Sequence, residues 1–428
     1  MSNNDSTNGF GAADADLTAE DLRQILEQAL GPISNGKRVL AVIPDKTRDD
    51  NTPKIFPIAA RILKDKGVAK FDALVAQGTH NRMNEAEKRS KIGWREDAPI
   101  PLLGEVFDHE WSDPGALVKL GELSGKTVSD LTGGILNDPV PVTLNQLLAP
   151  GLYDVVLIFG ATVPHEVAGF AGGAKYFFPG VAGAELTHAT HWLGALASIE
   201  NVIGRVETPT RKMIEAAADL ISARIISINS VVSRNEKNRL RTHALFCGDF
   251  RAALRRAAEI SRQVHIKYTG RKYKRVVALL DEHYDELWVG GKASYKLGGV
   301  IEEGGRLIIY APHLRAISET HGLLIEKYGY APLDRVREMV ALSEELKANL
   351  AVAAHLAHVS YAGRVDAVSG RVVPRYEIIL ASALDEAVCR RVNLGFMDHR
   401  KFRIADFAND PDTLIVERAG RDLYLVGP

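Results

Sequence analysis

The chain has 428 residues, which at roughly 100–200 residues per domain predicts two or three domains with room for a sizeable core. Apolar residues make up 46% and charged residues 25%, which excludes wholesale disorder. Lys and Arg total 53 against 54 Asp and Glu, a net charge of -1, which excludes a protein that coats nucleic acid through a basic surplus. Cys247 and Cys389 stand in unrelated contexts, so neither a disulfide framework nor a Cys-based zinc site is expected, and a reducing, cytoplasmic setting is. No apolar run approaches the roughly 20 residues that cross a bilayer, and no signal layout opens the chain, so no membrane partner is expected.

In chain order, residues 1–17 are rich in Asn, Ser, Asp, Gly and Ala and read as a disordered tail. Thr18-Ala-Glu-Asp21 has the layout of a capping box ahead of Leu22, Ile25, Leu26 and Leu30. Val39–Ile43 is an apolar run of strand length, and Pro53 opens a helix with Ile55, Ile58, Ala59 and Ile62 on one face. Phe71–Ala76 reads as a second strand, Asn84–Lys91 as a helix, and Asp154–Phe159 as a third strand; residues 100–150 carry mixed short strands and turns. A helix over Thr208–Ala223, a strand pair at Ile225–Val232 and Leu240–Leu245, and a helix over Asp249–Gln263 complete a first α/β domain, residues 18–270. The basic stretch Tyr268–Arg275 reads as a linker. Strands at Val276–Leu280, Glu286–Val289 and Arg306–Tyr310, a helix around Ala293–Ile301 and helices within 314–356 form a second α/β domain over 271–428. Apolar strands alternating with helices predict mainly parallel sheets covered on both faces.

In open parallel sheets, sites form beyond the carboxyl ends of the strands. The residues found there are Pro44-Asp45-Lys46-Thr47-Arg48, Gln77-Gly78-Thr79-His80 and Gly160-Ala-Thr-Val-Pro-His165. Each alone is an ordinary capping Asp, surface Arg or loop His, but three such placements in one domain point to a site. Arg48 is an always-charged planar fork suited to a carboxylate. His80 and His165 are proton movers near neutral pH, and two of them reaching one pocket from different strands suit a racemase, which handles a proton for both stereoisomers.

The densest local signal is His165–Gly183, where Gly169, Gly172 and Gly173 precede Lys175 and Pro179-Gly180 follows. Small residues let backbone N–H groups approach a phosphate, and a nearby Lys supplies charge. The spacing fits neither a P-loop nor the dinucleotide glycine fingerprint, and a glycine-rich packing turn is the alternative. Among Phe170, Tyr176, Phe177 and Phe178, Lys175 has a setting that lowers an amine pKa and suits a covalent anchor. His188 and His191 stand three apart on a helix opened by Ala184-Glu185, which allows a metal ligand or a merely structural pair.

As an ordered set, Asp45-Lys-Thr-Arg48 with Pro53, Gly78-Thr-His80, His165 followed by Gly-Gly-Ala-Lys175 and Pro-Gly-Val, and His191 resemble the nickel-dependent lactate racemase family. The resemblance spans residues 18–428, with its specific motifs in the first half. It implies an active site in the interdomain cleft. It also implies a nickel-pincer nucleotide, a pyridinium-3,5-dithiocarboxylic-type mononucleotide, held covalently by Lys175 through a thioamide. His191 is then the protein ligand of nickel, His80 and His165 are the paired acid/base residues, Arg48 anchors a carboxylate, and Asp45 orients its neighbours. Asp45, Thr47, Gly172 and Gly173 would lie near the nucleotide, and His188 would be structural. The implied reaction is inversion of C2 of a small 2-hydroxy acid by reversible hydride transfer, with cofactor biosynthesis proteins as maturation partners.

In the family, the second domain carries a Tyr-Gln pair and, three residues after the Gln, a Lys. Lys292-Ala293-Ser294-Tyr295-Lys296 stands in that place, with Lys296 at the Lys position and Lys292 and Ala293 where Tyr and Gln would be. Lys292, Tyr295 and Lys296 are therefore candidate substrate-binding residues, and Lys296 a catalytic candidate as well. Ala in place of Gln opens space and an added cation suits a larger, more polar acid, so a sugar acid (aldonate) or another polar 2-hydroxy acid is the expected substrate and lactate the alternative. The competing readings are a metal-dependent hydrolase or lyase using His80, His165 and His191, and a non-enzymatic nucleotide- or metal-binding protein.

Overall fold

The computed structural model describes residues 7–235 and 237–427. The chain divides into two compact units, residues 1–190 with 205–264, and residues 191–204 with 265–428.

The strands of the first unit, in chain order, are β1 (Thr7–Gly11), β2 (Arg38–Pro44), β3 (Lys70–Ala76), β4 (Leu103–Phe107), β5 (Leu117–Leu123), β6 (Val140–Asn145), β7 (Val155–Ala161), β8 (Pro164–His165), β9 (Gly169–Phe170), β10 (Arg224–Arg234) and β11 (Leu240–Gly248). Seven of them form one sheet in the order β1-β11-β10-β7-β2-β3-β4. It is parallel from β10 through β4 and antiparallel where β11 meets β10 and β1. The apolar runs of β2 and β7 are buried almost throughout, as strands covered on both faces must be.

The first helices form where local chemistry allows. In α1 (Ala19–Leu30), the Thr18 hydroxyl accepts from the Asp21 N–H at 3.2 Å and the Asp21 carboxylate accepts from the Thr18 N–H at 2.8 Å, the expected capping box. In α3 (Glu85–Ile92), Asn84 and Glu87 do the same. Between them, α2 (Thr52–Asp65) carries Pro53 in its first turn, where no N–H is needed. Its Phe56 stacks on Phe71 of β3 at 5.1 Å and packs against Phe159 of β7 at 5.5 Å, tying helix to sheet across β2.

Residues 1–6 lie outside the described residues, but the expectation of a disordered tail is overturned from residue 7 onward. β1 pairs with β11, and the Ala12 and Leu17 amides continue to His243 and Thr242. The glycines that look like disorder are packing positions. Gly9 has φ +124, and a Cβ there would fall 2.0 Å from the Leu245 carbonyl oxygen.

The second unit holds a five-stranded sheet in the order 395–396, 376–382, 301–311, 273–279, 413–416, parallel throughout. The expected linker is strand at both ends and keeps only 269–272 outside a strand: Ile266–Tyr268 pairs with Leu423–Leu425, and Tyr273–Leu279 is the strand paired with 301–311. Glu286–Val289 is not a strand. Leu287–Gly290 is a helical turn whose Trp288 lies between His321 and His355, with ring centroids 4.5 and 4.3 Å away. A four-residue apolar run does not distinguish strand from helix by itself. The helix expected over Thr208–Ala223 ends at Ala218.

Phe56→Ala removes the ring shared by β3 and β7 and is expected to lower unfolding free energy by about 3–5 kcal/mol, read from urea denaturation.

Candidate active site

The sheet runs outward in opposite directions from β2 and β7: β3 and β4 follow on one side, β10 on the other. This is a topological switch point, where the loops leaving the carboxyl ends of adjacent strands part and open a crevice. Asp45 and Arg48 follow β2, Gln77 to His80 follow β3, and Thr162 to His165 follow β7.

The loops are bonded to one another. Asp45 is buried, and its Oδ2 lies 2.8 Å from His80 Nδ1, while its Oδ1 accepts from the Thr47 amide at 2.7 Å and hydroxyl at 2.6 Å. Burial opposes ionisation of Asp45, yet the His80 ring, the Arg48 guanidinium and the Thr47 hydroxyl together hold its carboxyl far below the usual carboxylate range. The Gly78 amide donates to the Gly180 carbonyl at 2.9 Å, joining the β3 loop to the segment that follows Lys175. Lys91 of α3, paired with buried Asp50 at 2.5 Å, donates to the Arg48 carbonyl at 3.0 Å.

The two histidines present different nitrogens in different states. A carboxylate only accepts, so His80 donates from Nδ1, which leaves Nε2 as the ring nitrogen not engaged by Asp45. His165 is buried, and its Nδ1 accepts from the Val167 amide at 3.1 Å, so the neutral ring carries its proton on Nε2. Glu166 Oε2 lies 3.4 Å from the same Nδ1.

Lys175 sits on the short turn Gly173–Tyr176, half-buried. Burial lowers its amine pKa to about 7; Arg48 and Arg211 push the same way, against Glu166 and Asp45. Near neutral pH much of this amine is therefore uncharged and nucleophilic. The backbone before it is tightly held. Gly172 has φ +98, and a Cβ there would lie 2.7 Å from Thr162 Oγ1 and 2.9 Å from Asn229 Oδ1. Thr162 Oγ1 is buried without a hydrogen-bond partner among the described residues, an unsatisfied polar atom beside the glycines.

Residues 19–204 match the lactate racemase N-terminal domain model. A lactate racemase from Lactiplantibacillus plantarum is 30% identical over 164 residues, 38% of this chain. The aligned stretch is 34% of that relative, about a third of its length. Over residues 19–204 the chain is similar to the lactate racemase family. The crystal structure of a protein from Thermotoga maritima is 35% identical, with TM-score 0.87, covering 96% of this chain and 98% of that one. The lactate racemase apoprotein from Thermoanaerobacterium thermosaccharolyticum shares the fold, with TM-score 0.67 and 16% identity over 98% of this chain and 100% of its own.

The stretch that carries the lactate racemase signature contains Asp45, Thr47, Arg48, His80, His165, Gly172, Gly173, Lys175 and His191. All but His191 belong to the first unit; His191 is the first residue of the helix Ala184–Leu196 assigned to the second. His188, one turn earlier, has its pKa lowered by burial against the pull of Glu185. No group of three or more His, Cys, Asp or Glu among the described residues is placed to hold a metal ion. The reading of His80, His165 and His191 as a three-histidine hydrolase site therefore finds no such cluster. No described helix is long and apolar enough to cross a membrane.

In the second unit, Lys292, Tyr295 and Lys296 lie on the helix Lys292–Leu297. Lys292 is half-buried at its start. Tyr295 packs with Ile199, Ile203, Ile266 and Leu423 and meets His358 edge-on at 6.1 Å. Lys296 is 4% exposed and donates to the Arg421 carbonyl at 2.5 Å. Ala293 is fully buried, so it lines none of the open space expected from an Ala in place of Gln.

Sequence reasoning missed Glu166, Arg211 and Asn229. Asn229 left a signal, a polar side chain in the apolar strand β10. Arg211 left none, because an Arg on a helix is ordinarily a surface residue.

Because the folded pKa of Lys175 is below 10.5, the unfolded chain binds more protons between about pH 7 and pH 10.5. The resulting destabilisation is full below pH 7 and fades as pH rises toward the ordinary lysine value. Lys175→Met is expected to raise Tm clearly at pH 6 and little at pH 10, measured by calorimetry at both.

Proposed function

We propose that this lactate racemase relative inverts C2 of a polar 2-hydroxy acid, using a nickel-pincer nucleotide tethered to Lys175. The observation that carries the reading is the buried Lys175 amine, its pKa lowered to about 7 within the electrostatic reach of Arg48 and of Asp45, which pairs with His80.

These residues fit the cofactor chemically. An uncharged amine is what an amide-type bond to a thiocarboxyl group requires. The unsatisfied Thr162 hydroxyl, beside Gly172, is a donor suited to a phosphate. His191 supplies the imidazole ligand to nickel, a ligand type suited to that ion. When bound, the cofactor supplies a carbon that accepts and returns the substrate's α-hydrogen.

The chain's own residues do the rest. Arg48 takes the substrate carboxylate as a planar fork. His80, oriented by Asp45, takes the hydroxyl proton at Nε2 as that oxygen becomes a carbonyl. His165 returns a proton from Nε2 when the carbonyl is reduced again, and the two exchange duties for the opposite isomer. Placing these groups on different strand ends gives each a fixed direction, which is where most of the rate advantage of a bound substrate arises. Lys292 adds a cation that suits the further hydroxyl or carboxyl groups of a larger acid; the preference for an aldonate rests on Lys292 rather than on Ala293.

Protein produced together with its cofactor maturation partners is expected to show added mass at Lys175 by peptide mapping, with stoichiometric nickel. Lys175→Ala is expected to lose the adduct while staying folded; adduct mass retained in that variant overturns the tether. His165→Ala is expected to keep nickel and adduct but lower isomer interconversion by about 10²–10⁴-fold. A panel of lactate, malate and gluconate is expected to favour gluconate, and a clear preference for lactate overturns the substrate assignment.

A further inference from the structure

Arg211, on the helix Pro209–Ala218, is 1% exposed and is one of the largest side chains to be buried so completely. Its Nη1 donates to the Gly172 carbonyl at 3.2 Å and its Nη2 to the Phe170 carbonyl at 2.5 Å. Among the described residues no carboxylate forms an ion pair with it. Glu215, one turn along the same helix, is engaged by Arg251 at 3.3 Å and Arg255 at 3.8 Å. Asn229 completes the grip from β10: its Oδ1 accepts from the Gly173 amide at 2.9 Å and its Nδ2 donates to Ser227 Oγ at 2.9 Å. The backbone is thus fixed at Phe170, Gly172 and Gly173, just before Lys175.

A neutral amide donor could make carbonyl bonds of this kind without the desolvation cost of a guanidinium. What a buried charge adds is a field, and in a low-dielectric interior that field reaches the neighbouring amine. We propose that Arg211 is a positioning residue for Lys175: it grips the turn through Phe170 and Gly172, and its charge disfavours a second cation at the lysine. The groups that act on the Lys175 amine come from several elements. Burial disfavours the ammonium form most; Arg48 and, more weakly, Arg211 add to it, while Glu166 and Asp45 favour it. Arg48 is committed to the substrate carboxylate in the reading above, so its positive field is offset whenever substrate is bound. Arg211 pairs with no carboxylate among the described residues, so its contribution persists in every state of the site.

This inference uses the proposed role of Lys175 for its purpose, but its test does not need the loaded enzyme. The full-length chain, made without cofactor maturation partners, is reductively methylated with formaldehyde and cyanoborohydride across pH 5–10, and Lys175 is followed by peptide mapping. The wild type is expected to have a reactivity midpoint at about 7. Arg211→Gln keeps a donor without charge, and Arg211→Met is an apolar replacement of similar length. Each, where folded by near-ultraviolet circular dichroism, is expected to raise the midpoint by about one unit or more. An unchanged midpoint in either folded variant overturns the proposal, and so does failure of both to fold, since the guanidinium is then required for the fold itself. A raised midpoint in a protein that never acquires nickel adduct separates the two readings: Arg211 tunes the amine, and the cofactor assignment fails.

Discussion

A lysine amine held half-buried beside two guanidinium groups is the feature around which the first unit is arranged. Water would keep that amine charged; here its pKa falls to about 7. Groups of like charge in a confined site oppose folding, so the surrounding framework must be over-determined to hold them. It is. β2 and β7 are apolar along nearly their whole length, Phe56 locks α2 onto β3 and β7, and the turn before Lys175 is fastened by Arg211 and Asn229.

The second constraint is orientation. Loops rich in glycine wander unless their backbone is tied down, and here each is bonded to another. Asp45 reaches His80, Gly78 reaches Gly180, and Lys91 reaches the Arg48 carbonyl. The result is one imidazole oriented by a carboxylate and another by a backbone amide. That difference fixes which nitrogen of each ring the protein engages, a distinction that residue type alone does not carry.

Much of this was legible before any coordinates. Asp45, Arg48, His80 and His165 stood out because short apolar strands end abruptly in polar residues, and parallel strands place such ends on one edge. Lys175 stood out for its glycine and aromatic flanks. Among the readings that failed, three have identifiable reasons. Gly9 and Gly11 signal close backbone approach to β11, not disorder, and composition does not distinguish the two. The run Glu286–Val289 is too short for periodicity to separate strand from helix. Ala293 looked like an enlarged pocket wall, but a small side chain makes space only where the surroundings leave it, and here it is fully buried.

The amino-acid order by itself determined the alternation of strands and helices, the helix caps at Thr18 and Asn84, and the set of chemical groups delivered to strand ends. These depend on interactions within a few residues, so a linear reading reaches them. Only the tertiary structure decided that Arg211 lies beneath the Lys175 turn, that Asn229 grips Gly173, and that Asp45 pairs with His80. Those contacts join residues far apart in the chain, and their strength comes from exclusion of water, which exists only once the sheet and its covering helices have assembled.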